Sequence, residues 1–213
     1  MSIGIVGAGN MGASIAAQLA KTGEPVTLTD RNLGKAESVV AGIAREGVSA
    51  ANVSATLASD VVVLALWYPG TTDFAAEHAA ELDGKIVIDI SNPLDESWVR
   101  LATDPSTSSA ELLAQQLPGS RIVKAFNTTH APALADGHVD EVTLDVLLAS
   151  DDDAAKAQVG ELVKAAGLRP IDAGRLDNAR LLERLTAFQI ELSQRYELDF
   201  RLTFKLLPAD LPT

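Results

Sequence analysis

The sequence predicts an α/β fold: a doubly wound, mainly parallel β-sheet with helices on both faces and a C-terminal extension of one helix and one strand. Short apolar runs alternate with amphipathic segments almost to the end of the chain, and this alternation is typical of βαβ units. The run at residues 60–66 is almost entirely Val, Leu and Ala, as in a strand that is buried on both faces. A glycine-rich turn at residues 7–12 follows the first apolar run.

The predicted elements follow one another without a linker or a repeat. Strands are expected at residues 3–6, 25–29, 60–66, 85–90, 121–126, 143–149 and 169–172, and a half-buried strand at 200–206. Helices are expected at residues 13–21, 35–45, 74–82, 108–118, 151–166 and 178–196, with a long polar loop at 91–107. We therefore expect residues 1–150 to form the core and residues 151–213 an extension packed on it.

Composition excludes several classes of function. The 213 residues carry a net charge of -12 without a Lys/Arg cluster, so nucleic acid is not an expected partner. The sequence has no cysteine, which excludes disulfides, thiolate metal sites and a cysteine nucleophile and favours a cytoplasmic location. None of the three histidines has a histidine four residues on, so no metal site is predicted. No membrane segment or charged leader is predicted either, because the longest apolar run, residues 61–68, is far shorter than about 20 residues.

The glycine-rich turn fits the pattern G-x-G-x-x-G, which binds the pyrophosphate of a dinucleotide. It follows a predicted strand, opens a predicted helix, and is followed by an acidic residue at the end of the next strand. This context favours a working NAD(P)-binding Rossmann fold over a turn that has lost its ligand. The predicted pyrophosphate-binding residues are Gly7, Ala8, Gly9, Asn10, Met11 and Gly12.

Asp30 and Arg31 follow the second predicted strand and are predicted to decide which dinucleotide is bound. A carboxylate at this position accepts hydrogen bonds from the ribose hydroxyls and repels a 2′-phosphate, which favours NAD(H). Arg31 can instead bind a 2′-phosphate or stack on adenine, which favours NADP(H), and Lys35 adds positive charge one turn further on. The residues leave this choice open.

A second set of candidate residues follows the other predicted strands, at the sheet edge where such folds bind ligands. Aromatic rings there can wall a flat nicotinamide or a flat acceptor, or simply pack the strand end. Asparagines there can bind ribose or a carboxamide, or satisfy their own turns. The residues are Trp67, Tyr68, Pro69, Asn92, Pro93 and Asn127.

His130 is the candidate catalytic residue, because it is the histidine expected at the edge of this site. An ordinary pKa near 6.5 would suit proton delivery; the alternative interpretation is a partly exposed loop histidine. No Ser/His/Asp or paired-carboxylate motif is present. Hydride transfer between two bound rings depends more on orientation than on such groups.

Three stretches of the sequence resemble a known family. They are the glycine turn, residues 122–128, and residues 167–183, where the run D-x-G-x-L-x-N-A-R-x-x-E ends at Glu183. Together they resemble the NADPH-dependent oxidoreductases of the deazaflavin coenzyme F-420 (F420) family. The cytosolic domains of six-transmembrane metalloreductases share the same core.

The resemblance implies a Rossmann fold, a homodimer, and hydride transfer between a nicotinamide and a flat small-molecule redox acceptor, coenzyme F-420 or a similar molecule. It places the pyrophosphate on the glycine turn, the adenosine end on Thr29, Asp30, Arg31 and Lys35, and the nicotinamide beside residues 67–69, 92–93 and Asn127. Two residues depart from the family pattern. Asp30 stands where members that use NADPH carry a small polar residue, and Arg175 stands where proline is frequent.

The main functional hypothesis is therefore an NAD(P)H-dependent oxidoreductase. One alternative is an imine or ketone reductase with His130 or Tyr68 as proton donor, because such acceptors need a proton at the reacting atom. Another is a non-enzymatic sensor that binds the dinucleotide. A stripe at Leu181, Leu185, Phe188 and Leu192 is either a dimer interface or the face that packs on the chain's own sheet.

Overall fold

In the computed structural model, which describes residues 1–98 and 100–208, one six-stranded parallel sheet forms the core. Its strands are β1 (Ile3–Val6), β2 (Val26–Thr29), β3 (Val48–Ala50), β4 (Val61–Leu64), β5 (Ile86–Asp89) and β6 (Arg121–Lys124). Their spatial order is β3-β2-β1-β4-β5-β6, so the strand order reverses between β1 and β4, where doubly wound folds bind their ligands. The predicted fold class is confirmed.

Helices cover both faces of this sheet. They are α1 (Asn10–Leu19), α2 (Leu33–Ile43), α3 (Val53–Leu57), α4 (Tyr68–Glu77), α5 (Ala79–Leu82), α6 (Ser109–Gln116), α7 (Ala131–Asp136), α8 (Asp153–Ala165) and α9 (Ala179–Arg195). Val61 and Val63 belong to one buried apolar cluster, and Val62 and Leu64 to another. The all-apolar strand β4 is thus buried on both faces, as its composition predicts.

Two of the predicted elements are each divided into two in the structure. The helix predicted at residues 74–82 is two helices, because His78 leaves the helical backbone region between α4 and α5. α4 begins earlier than predicted, with Pro69 in its first turn, where proline is well tolerated. The strand predicted at residues 143–149 is also two strands. β8 (Val142–Thr143) pairs with β7 (His138–Val139), and β9 (Asp145–Leu148) pairs with β10 (Arg169–Asp172).

The strand predicted at residues 200–206 is wrong: Phe200 lies in a turn with a φ of +60°, and residues 201–206 belong to no strand. Its backbone groups bond to side chains instead. Arg169 donates to the Leu206 carbonyl oxygen at 2.7 Å, and the Leu206 amide donates to the Asp145 carboxylate at 2.9 Å. Of the alternating apolar residues, only Leu202 is buried, whereas Phe200, Phe204 and Leu206 are exposed.

The C-terminal part of the chain packs directly on the sheet. α8 contacts β6 and β10, and α9 contacts α6. This packing supports the proposal that residues 151–213 extend the core formed by residues 1–150. Among the helices described at residues 1–98 and 100–208, none has the length and apolar character needed to cross a membrane.

Candidate active site

The glycine turn joins β1 to α1, and each of its glycines meets a different environment. Gly7 has a φ of +106°, and a Cβ there would lie 2.4 Å from the Ala65 carbonyl oxygen. A Cβ at Gly12 would lie 1.8 Å from the Gly7 carbonyl oxygen, whereas one at Gly9 would meet nothing within 4 Å. The first and third glycines are thus required by packing. The second leaves open space beside the start of a ten-residue helix, which fits a dinucleotide pyrophosphate.

Asp30 lies beside this turn, at the end of β2. Its carboxylate accepts hydrogen bonds from the backbone amides of Ala8 at 2.9 Å and Asn32 at 3.0 Å. Burial opposes ionisation of Asp30, but these hydrogen bonds and the charges of Lys35 and Arg31 outweigh it and lower the pKa of the carboxyl group. Asp30 is therefore ionised at neutral pH, and the predicted adenosine end carries charges of both signs.

A cavity of about 790 Å³ opens from the glycine turn along the carboxyl edge of the sheet. Loop ends, α9 and the C-terminal segment form its wall. Of the residues predicted from the sequence, those lining it are Gly9, Asn10, Met11, Trp67, Asn92, Asn127 and His130. Tyr68, Pro69 and Pro93 are not lining residues: Tyr68 is half-buried, Pro69 is exposed and Pro93 is buried.

Asn127 is held at the cavity wall by hydrogen bonds to Asn92 and Thr186. Its side-chain amide donates to Asn92 Oδ1 at 3.0 Å, Asn92 donates back to its carbonyl oxygen at 3.1 Å, and Thr186 donates to the same carbonyl oxygen at 2.8 Å. Asn127 Oδ1 is buried without a hydrogen-bond partner among residues 1–98 and 100–208. A buried acceptor normally has a donor, so this oxygen fits the amide of a nicotinamide carboxamide.

His130 lines the same cavity but is more buried than the sequence suggests. Its exposed fraction is 8%, so the alternative of a partly exposed loop histidine is wrong. The imidazole ring lies 5.6 Å from the ring of Phe200, centroid to centroid. Burial lowers the pKa of His130 to about 4. The ring is therefore neutral at pH 7, and its part in proton transfer stays a prediction.

Beneath the cavity lies an ion cluster that the sequence analysis did not identify. Lys124 is fully buried at the end of β6, and its Nζ lies 2.8 Å from both Asp89 and Glu183. It also donates to Ser109 Oγ at 2.9 Å and to the Ser91 carbonyl oxygen. Burial opposes the charge, but Asp89 and Glu183 outweigh it and raise the pKa of Lys124. The cluster ties β5, β6, α6 and α9 together.

One signal in the sequence pointed to this cluster. Lys124 stands in a run of apolar residues that reads as a buried strand, and a fully buried lysine almost always has charged partners. Lys124 and Glu183 also belong to two of the stretches that carry the family resemblance. Several other wall residues were not predicted from the sequence: Trp98, Thr186, Ile190, Gln194 and Phe200.

Known proteins resemble this chain over nearly its whole length. A family model described as NADP oxidoreductase, coenzyme F420-dependent, matches residues 2–93. The F420-dependent NADP reductase of Methanocaldococcus jannaschii is 32% identical, over 92% of this chain and 94% of that protein. The chain belongs to the F420-dependent NADP reductase family. This membership confirms the predicted family and the prediction of an NAD(P)H-dependent oxidoreductase.

A solved structure and a longer protein are also similar to this chain. A crystal structure from Arthrobacter sp. FB24, provisionally described as an F420-dependent NADP-reductase, superposes with a TM-score of 0.84 at 28% identity, covering 97% of this chain and 99% of that one. The metalloreductase STEAP3 of Rattus norvegicus is 32% identical over 86% of this chain, but only 36% of that protein is matched.

Proposed function

We propose that this chain transfers hydride between NADP(H) and coenzyme F420, in the cytoplasm. The observation that carries the proposal is the position of the cavity, which opens directly from the glycine turn and has a volume of about 790 Å³. That volume lies within the range of cofactor sites and leaves room for two flat rings in one cleft. The names and full-length similarity of the F420-dependent NADP reductase relatives support the same acceptor.

In this proposal the chain's own residues act by binding and orientation. The glycine turn holds the pyrophosphate through its backbone amides, and Asn127 Oδ1 accepts a hydrogen bond from the carboxamide. Apolar wall residues such as Leu66, Trp67 and Ile90 exclude water from the reacting rings. Bound NADP(H) supplies the hydride, and the protein holds the donor and acceptor carbons together.

Mixing the purified protein with NADPH and then with F420 tests this proposal. We expect nicotinamide absorbance to fall when F420 is added. Gly9→Ala should weaken NADPH binding by about tenfold or more, because its Cβ occupies the space proposed for the pyrophosphate. Gly42→Ala is the matched control, since its Cβ also meets nothing within 4 Å but lies on α2. NADPH binding without turnover of F420 would contradict the proposed acceptor.

We further propose that the chain forms a homodimer through the outer face of α9. Leu181 and Phe188 of the stripe are 64% and 51% exposed, and Leu185 and Leu192 are half-buried, so the stripe as a whole does not pack on the chain's own sheet. The inner face is mixed: it buries Glu183, Thr186, Gln189 and Ser193 beside the apolar residues Ala179, Leu182, Ala187 and Ile190. Apolar side chains that are exposed on a helix whose other face is already buried in the chain support association with a second copy.

Phe188→Glu should convert the dimer to a monomer. A charge at the centre of an apolar interface is expected to raise the dissociation constant about 30-fold or more, measured by light scattering after size-exclusion chromatography. Leu33→Glu is the matched control, because Leu33 is an exposed leucine at the start of α2. A wild-type protein that is monomeric, or a Phe188→Glu variant that remains dimeric, would contradict the proposed interface.

A further inference from the structure

The adenosine end of the site combines one carboxylate with two cationic side chains. Asp30 ends the β2 strand region, Arg31 follows it, and Lys35 lies in the first turns of α2. Arg31 and Lys35 are exposed, and Lys35 Nζ lies 3.7 Å from Asp30 Oδ2. A dinucleotide 2′-phosphate would be attracted by the two cations and repelled by the carboxylate.

The Asp30 carboxylate is held in position by the backbone. The Ala8 amide of the glycine turn donates to Oδ2 at 2.9 Å, and the Asn32 amide donates to Oδ1 at 3.0 Å. A carboxylate offers about four acceptor positions, so these two amides leave capacity for two further donors. The side chain is 18% exposed, and a ligand beside the glycine turn can reach it.

We propose that this chain accepts NADH as a second hydride donor besides NADPH. Asp30 holds the two hydroxyls of an unphosphorylated ribose, whereas Arg31 and Lys35 hold a 2′-phosphate. The inference rests on the proposed dinucleotide site and is independent of the acceptor. The chemistry is the same for both donors: the C4–H bond of the dihydronicotinamide breaks, and the hydrogen passes with both bonding electrons, as hydride, to a ring carbon of the acceptor. A proton from solvent completes the reduction.

The balance of charges predicts a small difference in affinity between NADH and NADPH. Exposed cations contribute only weakly to the binding of a charged group in water, and Lys35 partly neutralises the carboxylate that opposes the phosphate. Attraction and repulsion of the 2′-phosphate are therefore of similar size. We expect the dissociation constants of NADH and NADPH to differ by no more than about tenfold.

Titrations of the full chain with NADH and with NADPH test this inference through their dissociation constants. Asp30→Asn should shift the ratio towards NADPH by about tenfold, because it removes the negative charge while its single amide oxygen still accepts one of the two backbone hydrogen bonds. Asp30→Ser makes the same test with a smaller side chain. Lys35→Ala should shift the ratio towards NADH. Glu161→Ser is the matched control, since Glu161 is an exposed acid on α8.

A wild-type preference for NADPH above about tenfold would overturn the inference, as would an unchanged ratio in both Asp30 variants. Thermal unfolding of each variant identifies a loss of folding. Because the dissociation constants are measured without an acceptor, a failure to reduce F420 does not affect them. That failure would contradict the proposed function and not the use of NADH.

Discussion

Replacing Lys124 by Met is expected to destabilise the protein by about 3–5 kcal/mol. The ammonium group is fully buried between Asp89 and Glu183, at 2.8 Å from each. Met fills the space of the lysine stem but leaves two buried carboxylates without a cation. Denaturant unfolding at pH 7 measures the loss. Adding Glu183→Gln to Lys124→Met should recover part of the lost stability, because one of the two unpaired carboxylates becomes a neutral amide.

Lys156→Met is the matched control for Lys124→Met. Lys156 is also largely buried, with a side chain that is 9% exposed, but its partners Asp153 and Asp172 are 94% and 65% exposed. Because those carboxylates remain in water, the expected loss is about 1 kcal/mol or less. Equal losses for the two lysine variants would show that the buried cluster has no special role in stability.

The stability of the protein should fall by about 3 kcal/mol more in the wild type than in His130→Asn as the pH decreases from 6.5 to 4. Burial lowers the pKa of His130 to about 4 from an ordinary value of 6.5. Between these values the unfolded chain binds a proton at this position and the folded chain does not. The contribution of neutral His130 is therefore fully present above pH 6.5 and is lost as the pH falls towards 4.

Denaturant unfolding at several pH values between 4 and 7 measures this difference, since the other titrating groups are common to both proteins. His138→Asn is the control, because His138 is exposed at β7. Its profile should run parallel to that of the wild type. A His130→Asn profile that also runs parallel would mean that the imidazole is solvated in the folded protein.

The sheet and the glycine turn were predictable because their signals are local. Strand β4 is identified by four adjacent apolar residues, and both of its faces are buried as that composition requires. The spacing of the glycines predicts their roles: Gly7 and Gly12 allow close backbone packing, and Gly9 leaves space for the ligand. The structure places this turn at the reversal of strand order, where the motif and the fold class together predict it.

The rest of the site depends on contacts between distant parts of the chain. Lys124 contacts Asp89, 35 positions earlier, and Glu183, 59 positions later, and no spacing rule connects such residues. Periodicity identified the apolar stripe on α9 but not whether it faces the core or the solvent. Glu183, which belongs to the buried ion cluster, lies on the inward face of the helix. The alternation at residues 200–206 has the period of a strand, but Asp145 and Arg169 bond the backbone instead.

The central position of β1 has a consequence for synthesis of the chain. Ile3 pairs with Val26 on one side and with Val61 on the other. Among the strands of this sheet, β1 is therefore separated by the longest stretch of chain from a neighbour that is synthesised after it. Until β4 has emerged, one edge of β1 is open and its apolar side chains lack half of their cover. Slow translation within residues 30–60 is therefore expected to prolong the exposure of this edge and to increase co-translational aggregation, which ribosome-release assays with synonymous codon variants can measure.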